Sequence, residues 1–259
     1  MTDYRYISAE QRGRIAIITI ERADAHNALN AEAHREMSSI LDDFRDDPDQ
    51  WVAIVTGAGI KAFCAGHDLK QQAAGGGMET PPSGFGGLTS RFDLNKPVIA
   101  AVNGVAMGGG FELALACDIV VAADHAKFAL PEVRVGLAAL GGGLLRLPKE
   151  IGLKRSMALL LTGEAVSAER GVELGFVNEV TTGPVLDLAM LWAERIASCG
   201  PLSIRATKEA VRLGGLQSLE VALVDQWQYP AMKTMLESED AIEGPLAFTE
   251  KRAPIWKSQ

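Results

Sequence analysis

Apolar and polar positions change their period several times along this chain, and each change predicts an element. Residues 14–20 (RIAIITI) are a short run of β-branched side chains and predict a strand. Residues 31–44 carry apolar positions at helical spacing, introduced by Asn27 or Asn30 as a cap. Residues 51–56 (WVAIVT) predict a buried strand, and residues 98–102 and 119–122 predict two more. Strands alternating with helical stretches argue for an α/β fold with largely parallel pairing. Residues 71–89 (QQAAGGGMETPPSGFGGLT) have no period and are rich in Gly and Pro, the character of a long loop or flap. After Gly163 the pattern turns helical. Segments 167–174, 184–199, 202–213 and 216–236 are separated by Gly175, Gly200-Pro201 and Gly214-Gly215, which act as helix stops. No internal repeat of fixed period is evident.

The densest candidate chemistry lies in residues 97–118 (PVIAAVNGVAMGGGFELALACD). They read as a strand, a turn at Asn103-Gly104, a triple glycine at 108–110, and an apolar helix with Glu112 in its first turn. Glycines let a backbone approach a ligand closely, and a helix N-terminus presents unpaired N–H groups at a positive dipole end. Such an arrangement holds a developing oxyanion beside an acid or base. The same residues also fit tight packing, with Glu112 as a dipole-favoured first-turn carboxylate. Against that stands the apolar company of Glu112: Phe111, Leu113, Ala114, Leu115 and Ala116.

Composition narrows the field. The 259 residues fit one large domain, or a domain with an appended helical segment, and 47% apolar with 22% charged residues is ordinary for a globular enzyme. The formal charge of −8 supplies no basic field for nucleic acid or an anionic membrane, so an anionic small molecule would need a local cluster of Lys and Arg. Cys64, Cys117 and Cys199 form no CxxC and read as reduced packing residues. The opening MTDYRYISAE shows no basic region followed by an apolar core, and no apolar run reaches membrane-spanning length. The expectation is a cytoplasmic protein.

Several familiar signatures are absent or out of place. Residues 56–62 (TGAGIKA) imitate the GxGxxA dinucleotide fingerprint, but residues 63–68 read as a loop where an apolar helix is required. His26, His34, His67 and His125 have no metal-ligand spacing, and GxSxG is missing. Residues 65–70 (AGHDLK) form a glycine-containing turn. It is either a plain polar turn with His67 on the surface, or the source of a second N–H for the same oxyanion. Glu132, behind Pro131, sits near the start of a short helix or turn. It is either a solvated carboxylate or the partner of Glu112 in an acid/base pair, with burial and repulsion raising at least one pKa.

Together these residues resemble the enoyl-CoA hydratase/isomerase (crotonase) superfamily. The resemblance covers nearly the whole chain: residues 27–29, 52–57, 65–70, 97–118, 128–136, 142–143 and 248–252. Within it the similarity is closest to the carnitinyl-CoA dehydratase subgroup, through residues 44–48 (FRDDP), 109–116 (GGFELALA), 145–149 (LRLPK) and 238–248 (SEDAIEGPLAF).

The resemblance implies a crotonase-like spiral of ββα units over residues 1–199. Residues 200–259 would form a C-terminal helical region that mediates trimerisation, giving a homotrimer or a dimer of trimers. It implies a lyase that interconverts a trans-2-enoyl-CoA and a 3-hydroxyacyl-CoA, crotonobetainyl-CoA and carnitinyl-CoA among them. Enoyl-CoA isomerisation or another acyl-CoA reaction of the superfamily is the alternative. The backbone N–H groups of His67 and Gly109 would form the oxyanion hole for the thioester carbonyl. Glu112 would activate the water and Glu132 would exchange the α-proton. Ala25, Ala28, Ala65, Asp68, Leu69 and Lys70 would contact the CoA substrate, with Phe248 and Lys251 reaching the CoA of a neighbouring subunit. No metal or redox cofactor is implied, coenzyme A being part of the substrate, and neither are nucleic-acid or membrane partners. Two departures stand out: His67 replaces a small or aromatic residue, and residues 138–141 (AALG) replace a Pro-containing turn close to the acyl pocket. Phe85 and Phe92 are aromatic candidates for a quaternary-ammonium acyl group.

Overall fold

The computed structural model describes residues 4–68 and 79–258. Its larger sheet has six strands: β1 (Ile7–Arg12), β2 (Ile15–Ile20), β3 (Val52–Gly57), β5 (Val98–Val102), β7 (Ile119–Ala123) and β10 (Glu179–Thr181), in that spatial order. Its smaller sheet has β4 (Ala62–Cys64), β6 (Val105–Met107), β8 (Lys127–Ala129) and β9 (Val166–Ser167). Pairing is parallel except where β1 meets β2 and β8 meets β9.

The chain moves between the sheets in a regular way. β3 then β4, β5 then β6, and β7 then β8 each place one strand in the larger sheet and the next in the smaller. Helix α2 (Gly109–Ala116) follows the second excursion, and α3 (Gly143–Ile151) and α4 (Leu153–Thr162) follow the third. This is the ββα spiral that the resemblance implies.

β3 and β5 are buried along their whole length, so they read as continuous apolar runs, as expected for parallel strands covered on both faces. Val98, Ala100 and Val102 face a core shared with α1 (Ala31–Asp46) and α2. Ile99 and Ala101 face the opposite core, which is closed by Val185, Ala189 and Ala193 on a later helix, α6 (Val185–Ala197). Asn30 caps α1 by accepting from the Ala33 N–H at 2.8 Å, which selects between the two predicted caps.

The fingerprint-like segment at 56–62 proves to be a crossing from one sheet to the other. The Asn103 amide donates to the carbonyls of Gly57, Gly59 and Ala62 and accepts from the Gly57 N–H. The Asn27 side chain donates to Ala58 and Ala62. A Cβ on Gly57 would stand 2.4 Å from the Phe63 carbonyl oxygen, so glycine is needed there for close packing.

The structure corrects four readings. Phe63 and Cys64 belong to strand β4 rather than a loop, and β6 lies between the Asn103-Gly104 turn and the triple glycine. The helix-rich later part of the chain begins at Gly143, ahead of Gly163. The single segment predicted over 216–236 is α8 (Leu219–Asp225), a 3-10 turn at Gln226–Gln228, and α9 (Pro230–Leu236). The interruption falls before Pro230, which starts a helix readily but cannot continue one. The remaining helices are α5 (Ala168–Leu174), α7 (Pro201–Gly214) and α10 (Asp240–Glu250). Lys208 on α7 joins this C-terminal region to the sheet through an ion pair with Asp118 at 2.7 Å. No helix among the described residues is long and apolar enough to cross a membrane.

Candidate active site

Glu112 is carried by α2, whose first turn starts from Gly108 at φ 55°, a left-handed conformation that favours glycine. That entry angle turns the helix into the protein, so the carboxyl of Glu112 is only 4% exposed. Its Oε1 accepts the Gly143 N–H at 2.9 Å, from the N-terminus of α3. Gly141 and Gly143 wrap this carboxyl closely: a Cβ at Gly141 would stand 2.6 Å from Oε2, and one at Gly143 would stand 3.1 Å from Oε1. Burial pushes the Glu112 pKa up to about 7, the backbone N–H groups hold it back, and Glu132 adds to the rise.

Glu132 lies in the 3-10 turn Pro131–Val135, with Pro131 at its first position as the sequence predicts. It comes to the site from the other side of Gly108, where an added Cβ would stand 3.0 Å from its Oε1. Its Oε2 is buried and has no hydrogen-bond partner. Burial raises this pKa as well. Two carboxyls with elevated pKa values thus act on one another, one of them held by a backbone donor and the other left with an unpartnered oxygen. This is how a pair acquires separate acid and base roles near neutral pH.

The second glycine turn arrives at the same place. Gly66, at φ 91°, lies so close to α2 that a Cβ there would stand 2.8 Å from the Met107 carbonyl oxygen and 3.3 Å from the Gly109 nitrogen. The turn is fixed from the Ala25–Ala28 side. Leu29 N–H donates to the Gly66 carbonyl, Asp68 N–H to Leu29, and Ala65 N–H to His26. Asp68 also pairs with Arg22 at 2.9 Å. The N–H groups of His67 and Gly109 donate to no other described residue, and both residues are partly open to solvent. Residues 65–68 thus lie against the start of α2 and are not an unconnected surface turn.

Other predicted residues fall differently. Leu69 and Lys70 lie outside the described residues, as does much of the predicted flap. Phe248 and Lys251 stand exposed at the end of α10, and no contact among the described residues joins them to the glutamate pair. Phe85 is buried against Gly109 and the His34 ring, whereas Phe92 is exposed. Of the departing turn, Ala139 is buried in the core and Leu140 is exposed. No group of three His, Cys, Asp or Glu side chains among the described residues could hold a metal ion.

Sequence reasoning missed four participants. Gly141 and Gly143 shape the Glu112 pocket, and the run of three glycines at 141–143 was the available signal. Arg146, half-buried, bridges to the Thr89 carbonyl at 2.8 Å and places positive charge near Glu112. His34 is wholly buried on α1, and its spacing looks like an ordinary core position.

With this geometry in hand, the relatives can be compared. Residues 10–259 match the enoyl-CoA hydratase/isomerase family. The chain belongs to the enoyl-CoA hydratase/isomerase family. It is 44% identical over 256 residues to a carnitinyl-CoA dehydratase of Proteus mirabilis, covering 96% of this chain and 97% of that one. It is 45% identical over 254 residues to a carnitinyl-CoA dehydratase of Escherichia coli K12, with the same coverage. Among solved structures, an enoyl-CoA hydratase from Mycobacterium tuberculosis superposes with a TM-score of 0.93 at 44% identity, covering 98% of this chain and 99% of that one. The crotonase fold read from the spiral is the fold of this family.

Proposed function

We propose that this family member is a carbon–oxygen lyase that adds water reversibly to a trans-2-enoyl-CoA, forming a 3-hydroxyacyl-CoA. The observation that carries the reading is the buried Glu112 with the partly buried Glu132, both with raised pKa values, near a turn and a helix start whose His67 and Gly109 N–H groups donate to no described residue. The thioester oxygen would accept both N–H groups, which favours negative charge on that oxygen as the nucleophile adds. Ionised Glu112 takes a proton from water, and the water oxygen bonds to C3. The C2–C3 π pair moves through C2 toward the thioester oxygen, and protonated Glu132 delivers its proton to C2 as the enolate collapses. Dehydration reverses each step. A base near pKa 7 suits this task at neutral pH. The reading needs no metal or redox cofactor, because coenzyme A arrives as part of the substrate.

The names carried by relatives of 44–45% identity support carnitinyl-CoA and crotonobetainyl-CoA as the acyl pair. Residues 200–259 are assigned to subunit contacts in a homotrimer or a dimer of trimers. Exposed Leu219, Val224, Trp227 and Leu246 in that region support burial against another copy. In that assembly Phe248 and Lys251 would reach the CoA held by Ala25, Ala28, Ala65, Asp68, Leu69 and Lys70 of a neighbour. The test is kcat/KM for crotonyl-CoA and crotonobetainyl-CoA side by side, with product regiochemistry. Hydration of either thioester at C3 upholds the lyase reading, and preference for crotonobetainyl-CoA upholds the acyl assignment. Double-bond migration without hydration overturns the reading in favour of an isomerase.

A further inference from the structure

His34 is an anomaly in the core. It is 0% exposed on α1, whose other buried residues are Ala33, Met37, Ile40, Leu41, Phe44 and Glu36, the last of which accepts from the backbone of residues 5–7. The Gly86 N–H donates to its Nδ1 at 3.0 Å, so Nδ1 carries the lone pair and the ring proton sits on Nε2. That Nε2 is buried without a partner, a cost that an apolar side chain at the same place would avoid. Burial, aided by His67, holds the ring neutral with a pKa pushed down to about 3.

What His34 touches explains the cost. Its ring stacks on His67 with centroids 5.7 Å apart and planes 21° from parallel. Its other contact is the edge of Phe85, at a centroid distance of 4.6 Å. Phe85 in turn lies flush on Gly109, where an added Cβ would stand 2.5 Å from Phe85 Cε2. The Gly86 bond fixes the turn that presents Phe85, and Gly86 itself sits at φ 58° against Leu113 of α2. One neutral imidazole therefore supports both residues whose N–H groups form the proposed oxyanion hole.

We propose that His34 is a positioning residue for the oxyanion hole, bracing His67 by ring stacking and Gly109 through the Gly86 bond and the Phe85 ring. This rests on the reading of His67 and Gly109 as the donors to the thioester oxygen. Both claims can be tested with a chromophoric thioester, 4-dimethylaminocinnamoyl-CoA, whose absorption moves to the red when its carbonyl is polarised. Wild-type protein is expected to red-shift the bound probe, and no shift would overturn the oxyanion-hole reading and this inference with it. His34→Phe keeps a ring in place and removes the acceptor for Gly86. With the wild-type shift present, folded His34→Phe is expected to lose much of it. Its kcat should fall about tenfold while KM changes less than about twofold, because the donors move relative to the reacting carbonyl. An undiminished shift and unchanged kcat in folded His34→Phe would overturn the inference alone. A second measurement needs no variant: ¹⁵N spectra of histidine-labelled wild-type protein with free CoA and with the thioester probe. The His34 ring nitrogens should respond to the thioester and not to CoA. Resonances identical in both complexes would overturn the brace.

Discussion

Two glycine-rich crossings carry the chain from the larger sheet to the smaller one or away from it, and they end differently. At residues 57–62 every approach of backbone to backbone is filled: Asn103 and Asn27 satisfy the carbonyls of Gly57, Ala58, Gly59 and Ala62. At Gly108–Gly110 the packing is equally tight, a Cβ on Gly110 standing only 1.9 Å from the Cys64 carbonyl oxygen. Yet here the Gly109 N–H donates to no described residue, and Glu132 Oε2 lacks a partner. Both crossings use glycine for the same steric reason. The second leaves a buried carboxyl oxygen without a partner among the described residues, and that difference marks it as the proposed site.

The largest expected effect lies at the open crossing. Glu112→Gln should lower kcat for enoyl-CoA hydration by about 10³-fold, since it removes the base while keeping shape and the Gly143 contact. Thermal melting should show no loss of stability. Full activity in a folded variant would break the proposed division of labour.

A related measurement sharpens the same point through pH. The Glu112 carboxyl titrates near 7 in the folded chain, against about 4.3 when unfolded. Between those values the folded state keeps a proton that the unfolded state has lost, so this group's contribution makes stability fall as pH rises across that window. Well above pH 7 the penalty is complete, at up to about 4 kcal/mol. Glu112→Gln should therefore gain stability relative to wild type at pH 8 and not at pH 4.5. Glu132, also raised by burial, acts in the same direction but remains in the variant. Denaturant titrations at both pH values decide this, and equal differences would show that Glu112 is not held in its neutral form by burial. Activity should move oppositely, with kcat/KM rising through pH 7 as the base ionises.

The filled crossing should respond in stability alone. Asn103→Ala would leave the Gly57 N–H without its acceptor and the Gly57 and Gly59 carbonyls without their side-chain donor, Ala62 keeping the Asn27 amide, costing about 2 kcal/mol. The folded fraction should retain kcat and KM close to wild type. A large kcat loss at unchanged stability would move this crossing into the site.

The contrast also marks what was legible in the sequence. β3 and β5 could be read because strands buried on both faces are continuous apolar runs. β4, β6 and β8 were not read, because three residues between glycines or turns are too few to show a period. β1 escaped for another reason. Only Ile7 of ISAEQR is buried, so this edge strand has the composition of a loop. Glu112 was legible as a lone carboxylate in an apolar helix. The glycine run at 141–143 marked a close approach without saying to what, and both its contact with Glu112 and the place of His34 behind His67 depend on tertiary approaches between distant segments.

The finest test uses two glycines at positive φ. Gly59 and Gly108 sit at 77° and 55°, so alanine at either should cost about 1 kcal/mol or more, and at least as much at Gly108, whose ψ of −126° lies outside the left-handed helical well. Their surroundings differ. The nearest atom to a Cβ on Gly59 is Ala23 Cβ at 4.0 Å, which is open space, whereas at Gly108 it is Glu132 Oε1 at 3.0 Å. Gly59→Ala should lose stability and keep its kcat. Gly108→Ala should lose at least as much stability and also about tenfold in kcat, because Glu132 must yield by a few tenths of an ångström at the point where it meets the α-carbon. Melting curves measure the shared strain, and solvent-deuterium exchange at the α-carbon of bound thioester measures the Glu132 step alone. Equal exchange rates in the two variants would mean that displacing Glu132 does not matter, and would assign α-proton transfer to another group.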